Sequence, residues 1–241
     1  MSRICQHFPV IIVDSFFDHP DEVVREAKKL TYEPSPEKNW PGSRSRPLGD
    51  VSPEIYHHAM RKFFSIWYSP EEMNSLSWGC EMHFQRVSPP VKDKEDSTLN
   101  TGWVHRDSDY IAAGVVYLTP DADPSTGTGI YTDSQDFCDY ENNRYRDSRL
   151  HDCKTQTYGQ NFDDASIPHL EKVKQTHEEK FESDVTVSNR YNRLIAYGEQ
   201  YPHKQQYLGS KVGDGERLTL VFFLRDLWGV NSPLLRKYRG V

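Results

Sequence analysis

Between residues 78 and 225 the chain is a succession of short apolar runs separated by Gly, Pro and polar residues. WGCEMHFQRV (78–87), IAAGVVYLTP (111–120), NRLIAYGEQ (192–200) and ERLTLVFFLRDL (216–227) are rich in β-branched and aromatic residues. Runs of this length, punctuated this way, are strands of a sandwich or barrel. TGWVHRDSDY (101–110), the turn DADPSTGTGIY entering a further strand, DVTVS (184–188) and PHKQQYLG (202–209) read the same way. The polar stretch 88–100, with KDKED at its tip, reads as a solvated loop.

The front of the chain has helical texture. After a short strand within FPVIIVDSFF (8–17), Pro20 suits a first helical position, with Asp21 and Glu22 in the first turn and Lys28 and Lys29 in the last. Val23, Val24, Ala27 and Leu30 form its apolar stripe. Residues 31–51, with four Pro and two Gly, read as loop. A second helix begins at Ser52–Pro53, with Ile55, Ala59, Phe63, Ile66 and Trp67 on one face. Residues 132–184 interrupt the strand pattern. They are polar, with helical stretches near 136–147 and 169–182, and read as a large insertion or lid. The expected fold is mainly β with supporting helices, one domain over 1–241: helices in 1–77, the β core in 78–225 and a tail in 226–241.

Charge and length exclude several classes. With 29 Lys+Arg against 36 Asp+Glu the formal charge is −7, which disfavours nucleic acid as a partner. No run approaches the roughly 18 apolar residues of a membrane span. The N-terminal run from Phe8 to Val13 stops at Asp14 and lacks the features of a signal peptide. Four Cys, at 5, 80, 138 and 153, form no CxxC, so reduced thiols in a cytoplasmic protein are expected, with a Cys138–Cys153 pair as the alternative. Oligomeric state is not readable.

The chemistry gathers around His105-Arg106-Asp107. Residues i and i+2 of a strand share a face, so this imidazole and carboxylate converge. With 10 His and 20 Asp, about one His-x-Asp is expected by chance. His19-Pro20-Asp21 is such a decoy, explained by helix initiation. His105 differs because the apolar strand 111–118 follows it. His203, after NRLIAYG and a Tyr-Pro corner, is the third candidate ligand. Two His and one carboxylate with open positions suit a non-haem Fe(II) oxygenase. Arg217, fourteen residues on, shares its strand face with Thr219 and Val221. A buried guanidinium there suits a dicarboxylate, or else a salt bridge to Glu199 or Glu216.

HRD at 105–107, GVVYLTP at 114–120, GTGIY at 127–131, NRLIAYGEQYPH at 192–203 and ERLTLVFF at 216–223 together resemble the Fe(II)- and 2-oxoglutarate-dependent dioxygenases, in the prolyl-4-hydroxylase-like branch. The resemblance implies a double-stranded β-helix (jelly-roll, cupin-like) core over about 78–225. It implies His105, Asp107 and His203 as iron ligands, and Arg217, assisted by Thr219, on the distal carboxylate of 2-oxoglutarate. Tyr117 is a second hydrogen bond to that carboxylate or a core aromatic, and Tyr131 a further candidate. Fe(II), 2-oxoglutarate and O2 are then the cofactor and cosubstrates, with hydroxylation of a C–H bond and conversion of 2-oxoglutarate to succinate. Prolyl hydroxylases usually carry Lys where this chain has Arg217, which argues against proline itself. The implied substrate is a protein or peptide side chain, an amino-acid derivative or a small molecule.

Two other classes fit the same residues: a zinc-type hydrolase, which would ignore 2-oxoglutarate, and a non-catalytic cupin-like binding module. Among the remaining candidates, His151, His169 and His177 read as surface residues of a solvated segment, His57 and His58 as structural, and His83 as packing beside the site. Trp103 shares the parity of His105 and reads as core or site wall. Arg225 falls outside the pocket. The loop WPGSRSRP (40–47) reads as surface or, through its Arg residues, as a lip of the substrate entrance.

Overall fold

The computed structural model describes residues 8–107, 109–133, 148–213 and 215–229. In chain order its elements are β1 (Ile11–Val13), α1 (Pro20–Lys29), β2 (Tyr32–Pro34), β3 (Ser43–Ser45), α2 (Leu48–Val51), α3 (Pro53–Phe64), α4 (Pro70–Met73), β4 (Ser77–Val87), β5 (Ala112–Tyr117), β6 (Thr128–Asp133), α5 (Ser148–Tyr158), α6 (Ile167–Glu178), β7 (Phe181–Val187), β8 (Leu194–Gly198), β9 (His203–Gln205) and β10 (Arg217–Trp228). Two antiparallel sheets result. The larger runs β1-β8-β5-β10-β4-β3-β2 and the smaller β7-β6-β9.

Alternation along β10 decides which face does what. Leu220, Phe222 and Leu224 point one way and are buried. They pack with Phe84 and Met82 of β4 and Val116 of β5 against Val24 and Ala27 of α1 and Ala59 and Phe63 of α3. Phe63 and Phe222 meet edge to face, with ring centroids 4.9 Å apart. Burying one such ring contributes about 2–3 kcal/mol. Gly114 is required under this layer, because a Cβ there would lie 2.4 Å from the Phe222 ring. Arg217, Thr219, Val221 and Phe223 alternate to the opposite face, which looks toward the smaller sheet. Between the sheets lies a second core of Ala113, Tyr117, Ile195, Tyr197, Ile130 and Val187. A third core joins α5 and α6 to the loop before the site through Cys153, Leu170, Leu99 and Trp103.

The structure departs from the sequence reading in identifiable places. β2 and β3 arise in residues 31–51, read as loop; with β1 they make the front of the chain a supplier of strands as well as helices. Each has three residues, too few to show alternation. Among the described residues of 101–110 no regular strand forms, and a single bridge, His105 to His203, is made there. β10 continues to Trp228, beyond the expected end of the core. Helix α3 ends at Phe64, which leaves Ile66 exposed, and Ser52 precedes the helix without making a side-chain cap bond. Helix α5 was not expected at 148–158. The helix expected at 136–147 lies outside the described residues, as do Cys5 and Cys138, the expected alternative partner of Cys153.

Candidate metal centre

Two histidines meet because of one backbone bridge. The His105 N–H donates to the His203 carbonyl (3.1 Å) and the His203 N–H to the His105 carbonyl (2.9 Å). Residues paired this way in antiparallel chains project side chains to the same side, and the two imidazole centroids lie 4.4 Å apart. The other edge of β9 is held by β6, where His203 lies opposite Ile130. The close approach of the 102–105 segment to β9 needs Gly102, since a Cβ there would sit 2.3 Å from Gln205 Oε1.

Two residues beyond His105, the Asp107 carboxylate completes the group. Its Oδ1 is 3.7 Å from His105 Nε2 and its Oδ2 is 3.4 Å from His203 Nε2. One donor atom from each residue lies within 4.8 Å of the other two. Donors bound to one ion at 2.0–2.2 Å sit about 3.0–3.5 Å apart, so the trio is near the spacing of a shared metal. Both imidazoles are oriented for it. His105 Nδ1 bonds the Trp103 carbonyl (2.8 Å) and His203 Nδ1 the Tyr201 carbonyl (3.1 Å). A ring nitrogen facing a carbonyl carries the proton, which leaves each Nε2 lone pair free for a ligand bond.

Electrostatics favours the same state. Burial, then the Lys154 ammonium and the His203 imidazole, hold His105 below the ordinary imidazole range, so it is neutral at pH 7. Burial pushes the Asp107 carboxyl up, but the adjoining His203 and His105 and the Lys154 ammonium outweigh it and hold the carboxyl low. A neutral His105 beside an ionised carboxylate is in the protonation state that metal binding requires. The trio lines a cavity of about 660 Å³, together with Tyr197, Val115, Val221, Arg44 and Lys154.

The other expected residues lie deeper or further out. Arg217 and Thr219 are each 2% exposed. Arg217 Nη1 donates to the carbonyls of Thr126 (2.8 Å) and Tyr207 (2.9 Å), while its buried Nε meets no acceptor. Burial pushes its pKa down to about 10, against an opposing effect of Tyr117. Neither Glu199 nor Glu216 bridges to it among the described residues; Glu216 faces Arg86 instead (3.6 Å). The Tyr117 hydroxyl hydrogen-bonds Thr128 Oγ1 at 2.7 Å. These buried groups continue the row of Phe223 and Val221 but do not line the cavity itself. Tyr131 is half-buried in β6, and its hydroxyl accepts from Gln206 (3.1 Å).

Several neighbours escaped the sequence reading. His177, read as exposed, uses Nε2 to bond the Val104 carbonyl (2.8 Å) and packs on Trp103, which is core. Lys174, expected on a solvated helix, is fully buried and donates to Thr101 and Glu178. Lys204, next to His203, donates to the same carboxylate (2.6 Å). This network clamps α6 to both ligand-bearing segments, and polar residue types at helical spacing give no sign of it. Arg44 is the Arg of the 40–47 loop that reaches the cavity, and Lys154 enters from α5 with no sequence signal. His83 is buried against the Ser45 carbonyl and Glu81, as the packing reading requires.

The family profile described as "Family of unknown function (DUF6445)" matches residues 2–223. The chain belongs to DUF6445. No curated protein matches this family member. Among solved structures it is similar to HygX from Streptomyces hygroscopicus with nickel and 2-oxoglutarate bound, at 15% identity and TM-score 0.50, covering 89% of this chain and 82% of that one. It is similar also to a prolyl hydroxylase from Trichoplax adhaerens in complex with a hypoxia inducible factor peptide (11% identity, TM-score 0.51, 90% and 83% covered). A third is the non-heme alpha ketoglutarate dependent epimerase SnoN from nogalamycin biosynthesis (13%, 0.50, 95% and 82%). At these identities the DUF6445 chain shares a fold with them, mainly antiparallel β with flanking helices.

Proposed function

We propose that the protein is an Fe(II)- and 2-oxoglutarate-dependent dioxygenase that hydroxylates a C–H bond of a small-molecule, peptide or amino-acid-like substrate. The observation that carries this is the convergence of His105, Asp107 and His203 with both Nε2 atoms left free by bonds at Nδ1. In this reading the two sheets are a double-stranded β-helix. Strands β4, β10, β5 and β8 form one half, and the 102–105 segment, β9, β6 and β7 the other, all within one domain.

The residues fit the implied groups. Two imidazoles and one carboxylate hold Fe(II) and leave positions open. Bound there, the ion and 2-oxoglutarate supply the oxidising chemistry, with succinate, CO2 and a hydroxylated substrate as products. Among the described residues Arg217 is a buried guanidinium without a carboxylate partner and with an orphaned Nε, which is what an acceptor supplied by a ligand would satisfy. It binds the distal carboxylate of 2-oxoglutarate, with Thr219 and the Tyr117 hydroxyl beside it. Its hold on the Thr126 and Tyr207 carbonyls fixes the guanidinium plane in advance. Tyr131 accepts from Gln206, which follows β9 in the same sheet. Trp103 and Tyr201 keep the imidazoles in the ligating tautomer through their carbonyls. Helix α5, in the insertion, walls the cavity from water through Lys154 and Tyr158.

The test is anaerobic loading with Fe(II) and 2-oxoglutarate, followed by admission of O2 and assay of succinate. Succinate formed only with both, and abolished in Asp107→Ala, is the expected result. Metal-dependent hydrolysis of ester or amide probes without 2-oxoglutarate consumption would replace this reading with a hydrolase.

A further inference from the structure

The cavity holds two cations that metal and cosubstrate binding leave unused. Arg44, on β3, places its guanidinium carbon over the rings of Trp40 (4.3 Å to the centroid) and Phe223 (5.1 Å). Its Nε is buried without an acceptor, and among the described residues its guanidinium makes no hydrogen bond or ion pair within 4.0 Å. Lys154, on α5, likewise has no such partner there, and its ammonium lies 5.6 Å from the Tyr158 ring. Both line the same cavity as His105, Asp107 and His203. Burial lowers the pKa of each, and Asp107 opposes this in both, so the two charges face the centre from different elements.

The acids of this cavity do not account for them. Asp107 belongs to the metal group. Glu81 contacts His83 (2.9 Å) and Arg225 (3.9 Å), Glu37 accepts from Asn39 (2.7 Å), and Asp109 is exposed. A divalent ion would exceed the charge of Asp107 and add to the positive excess. Both side chains are half-buried, and charges drawn out of bulk water without partners are costly, so two of them turned into one cavity favour an anion there. Contact with two rings holds the Arg44 guanidinium in place, and its N–H groups suit a planar oxyanion.

We infer that the substrate is a low-molecular-weight compound carrying an oxyanion, a carboxylate or a phosphate, held between Arg44 and Lys154 with its carbon skeleton against Trp40 and Phe223. The inference rests on the oxygenase reading, in which Arg217, at the buried end of the same sheet face, takes the distal carboxylate of 2-oxoglutarate. A cavity of about 660 Å³ has room for a second small molecule beside the cosubstrate.

The test uses the full chain loaded with Ni(II), as a redox-inert ion, and 2-oxoglutarate. Calorimetric titrations compare benzoate and phenyl phosphate with neutral benzamide. At least one anion is expected to bind about tenfold or more tightly than benzamide, and whichever of the two binds better identifies the oxyanion. Arg44→Gln and Lys154→Met are each expected to weaken that anion by about tenfold while shifting 2-oxoglutarate affinity less than about twofold. Arg44→Lys keeps the charge and is expected to lie between Arg44→Gln and the parent, which separates loss of charge from loss of fold. Equal binding of benzamide, or unchanged anion binding in both variants, overturns the inference. So does a fall in 2-oxoglutarate affinity in these variants as large as that in Arg217→Gln, since the two cations would then serve the cosubstrate. Failure of the oxygenase reading itself looks different: no 2-oxoglutarate binding by the parent protein, whatever the anions do.

Discussion

Glu178→Ala tests the buried clamp that holds the two ligand-bearing segments together. The Glu178 carboxylate accepts from Lys174, which is completely buried, and from Lys204, which is 9% exposed and adjacent to His203. Lys174 also reaches Thr101, at the start of the segment that carries His105. Removing the acid leaves two ammonium groups close together and unpaired in the interior. Breaking a buried pair costs about 3–5 kcal/mol, against a total stability of about 5–15 kcal/mol for a typical domain. Burial and the neighbouring Lys204 already push Lys174 down to about 8, with Glu178 opposing them. In the unfolded chain the group titrates near 10.4. The unfolded state therefore binds more protons between these values, and stability contributed at this site rises with pH across that window. Without Glu178 the folded value falls further, so relief begins at lower pH. Urea unfolding at pH 7 is expected to show a loss of about 3–5 kcal/mol that narrows at pH 9.5. Lys174→Met, which removes charge and penalty together, is expected to stay within about 1 kcal/mol of the parent. A loss below about 1 kcal/mol in Glu178→Ala, or one that does not narrow with pH, refutes the reasoning.

Three further outcomes follow from the same geometry. His105 is held below its unfolded value of about 6.5, so the metal-free protein is expected to lose stability as pH falls below that value, with a limiting slope of about 1.4 kcal/mol per pH unit in urea titrations; a flat profile from pH 7 to 5 contradicts the assignment. Arg217→Gln is expected to weaken 2-oxoglutarate binding by about tenfold or more with Fe(II) affinity retained, read by anaerobic titration; equal loss of both would make Arg217 purely structural. Gly114→Ala places a Cβ 2.4 Å from the Phe222 ring and is expected to cost about 1–3 kcal/mol by thermal unfolding; an unchanged midpoint would show that the ring moves freely.

The legible part of the sequence was the part governed by period and parity. The β10 run alternates from Arg217 to Leu224, up to the irregularity before Asp226, so the two faces of that stretch are separable from the sequence. The same parity argument put Arg217 and Thr219 on the site side. His105, Asp107 and His203 were legible as types with the right chemistry, yet their meeting depends on a single bridge between residues 98 positions apart, which no local pattern encodes. That is also why 101–110 reads as a strand: its residues are strand formers, but among the described ones a single reciprocal pair of backbone bonds is made. β2 and β3 escape the sequence reading because three residues in a proline-rich stretch carry no period. Lys174 and His177 were misjudged because a helix of charged residues reads as solvated, and only its packing against 99–104 reveals a buried stripe. Arg44 was half-legible, flagged by its loop but not distinguishable from Arg46, which is exposed and pairs with Asp50 (3.8 Å).

The most direct measurement is anaerobic Fe(II) titration with metal analysis of the parent protein and of His203→Ala, whose ligand is the one farthest along the chain. The account expects one tightly held Fe(II) per chain, and its loss in the variant while the fold is retained by circular dichroism. Undiminished Fe(II) in His203→Ala, or no stoichiometric Fe(II) in the parent, would contradict a centre built from residues 105, 107 and 203.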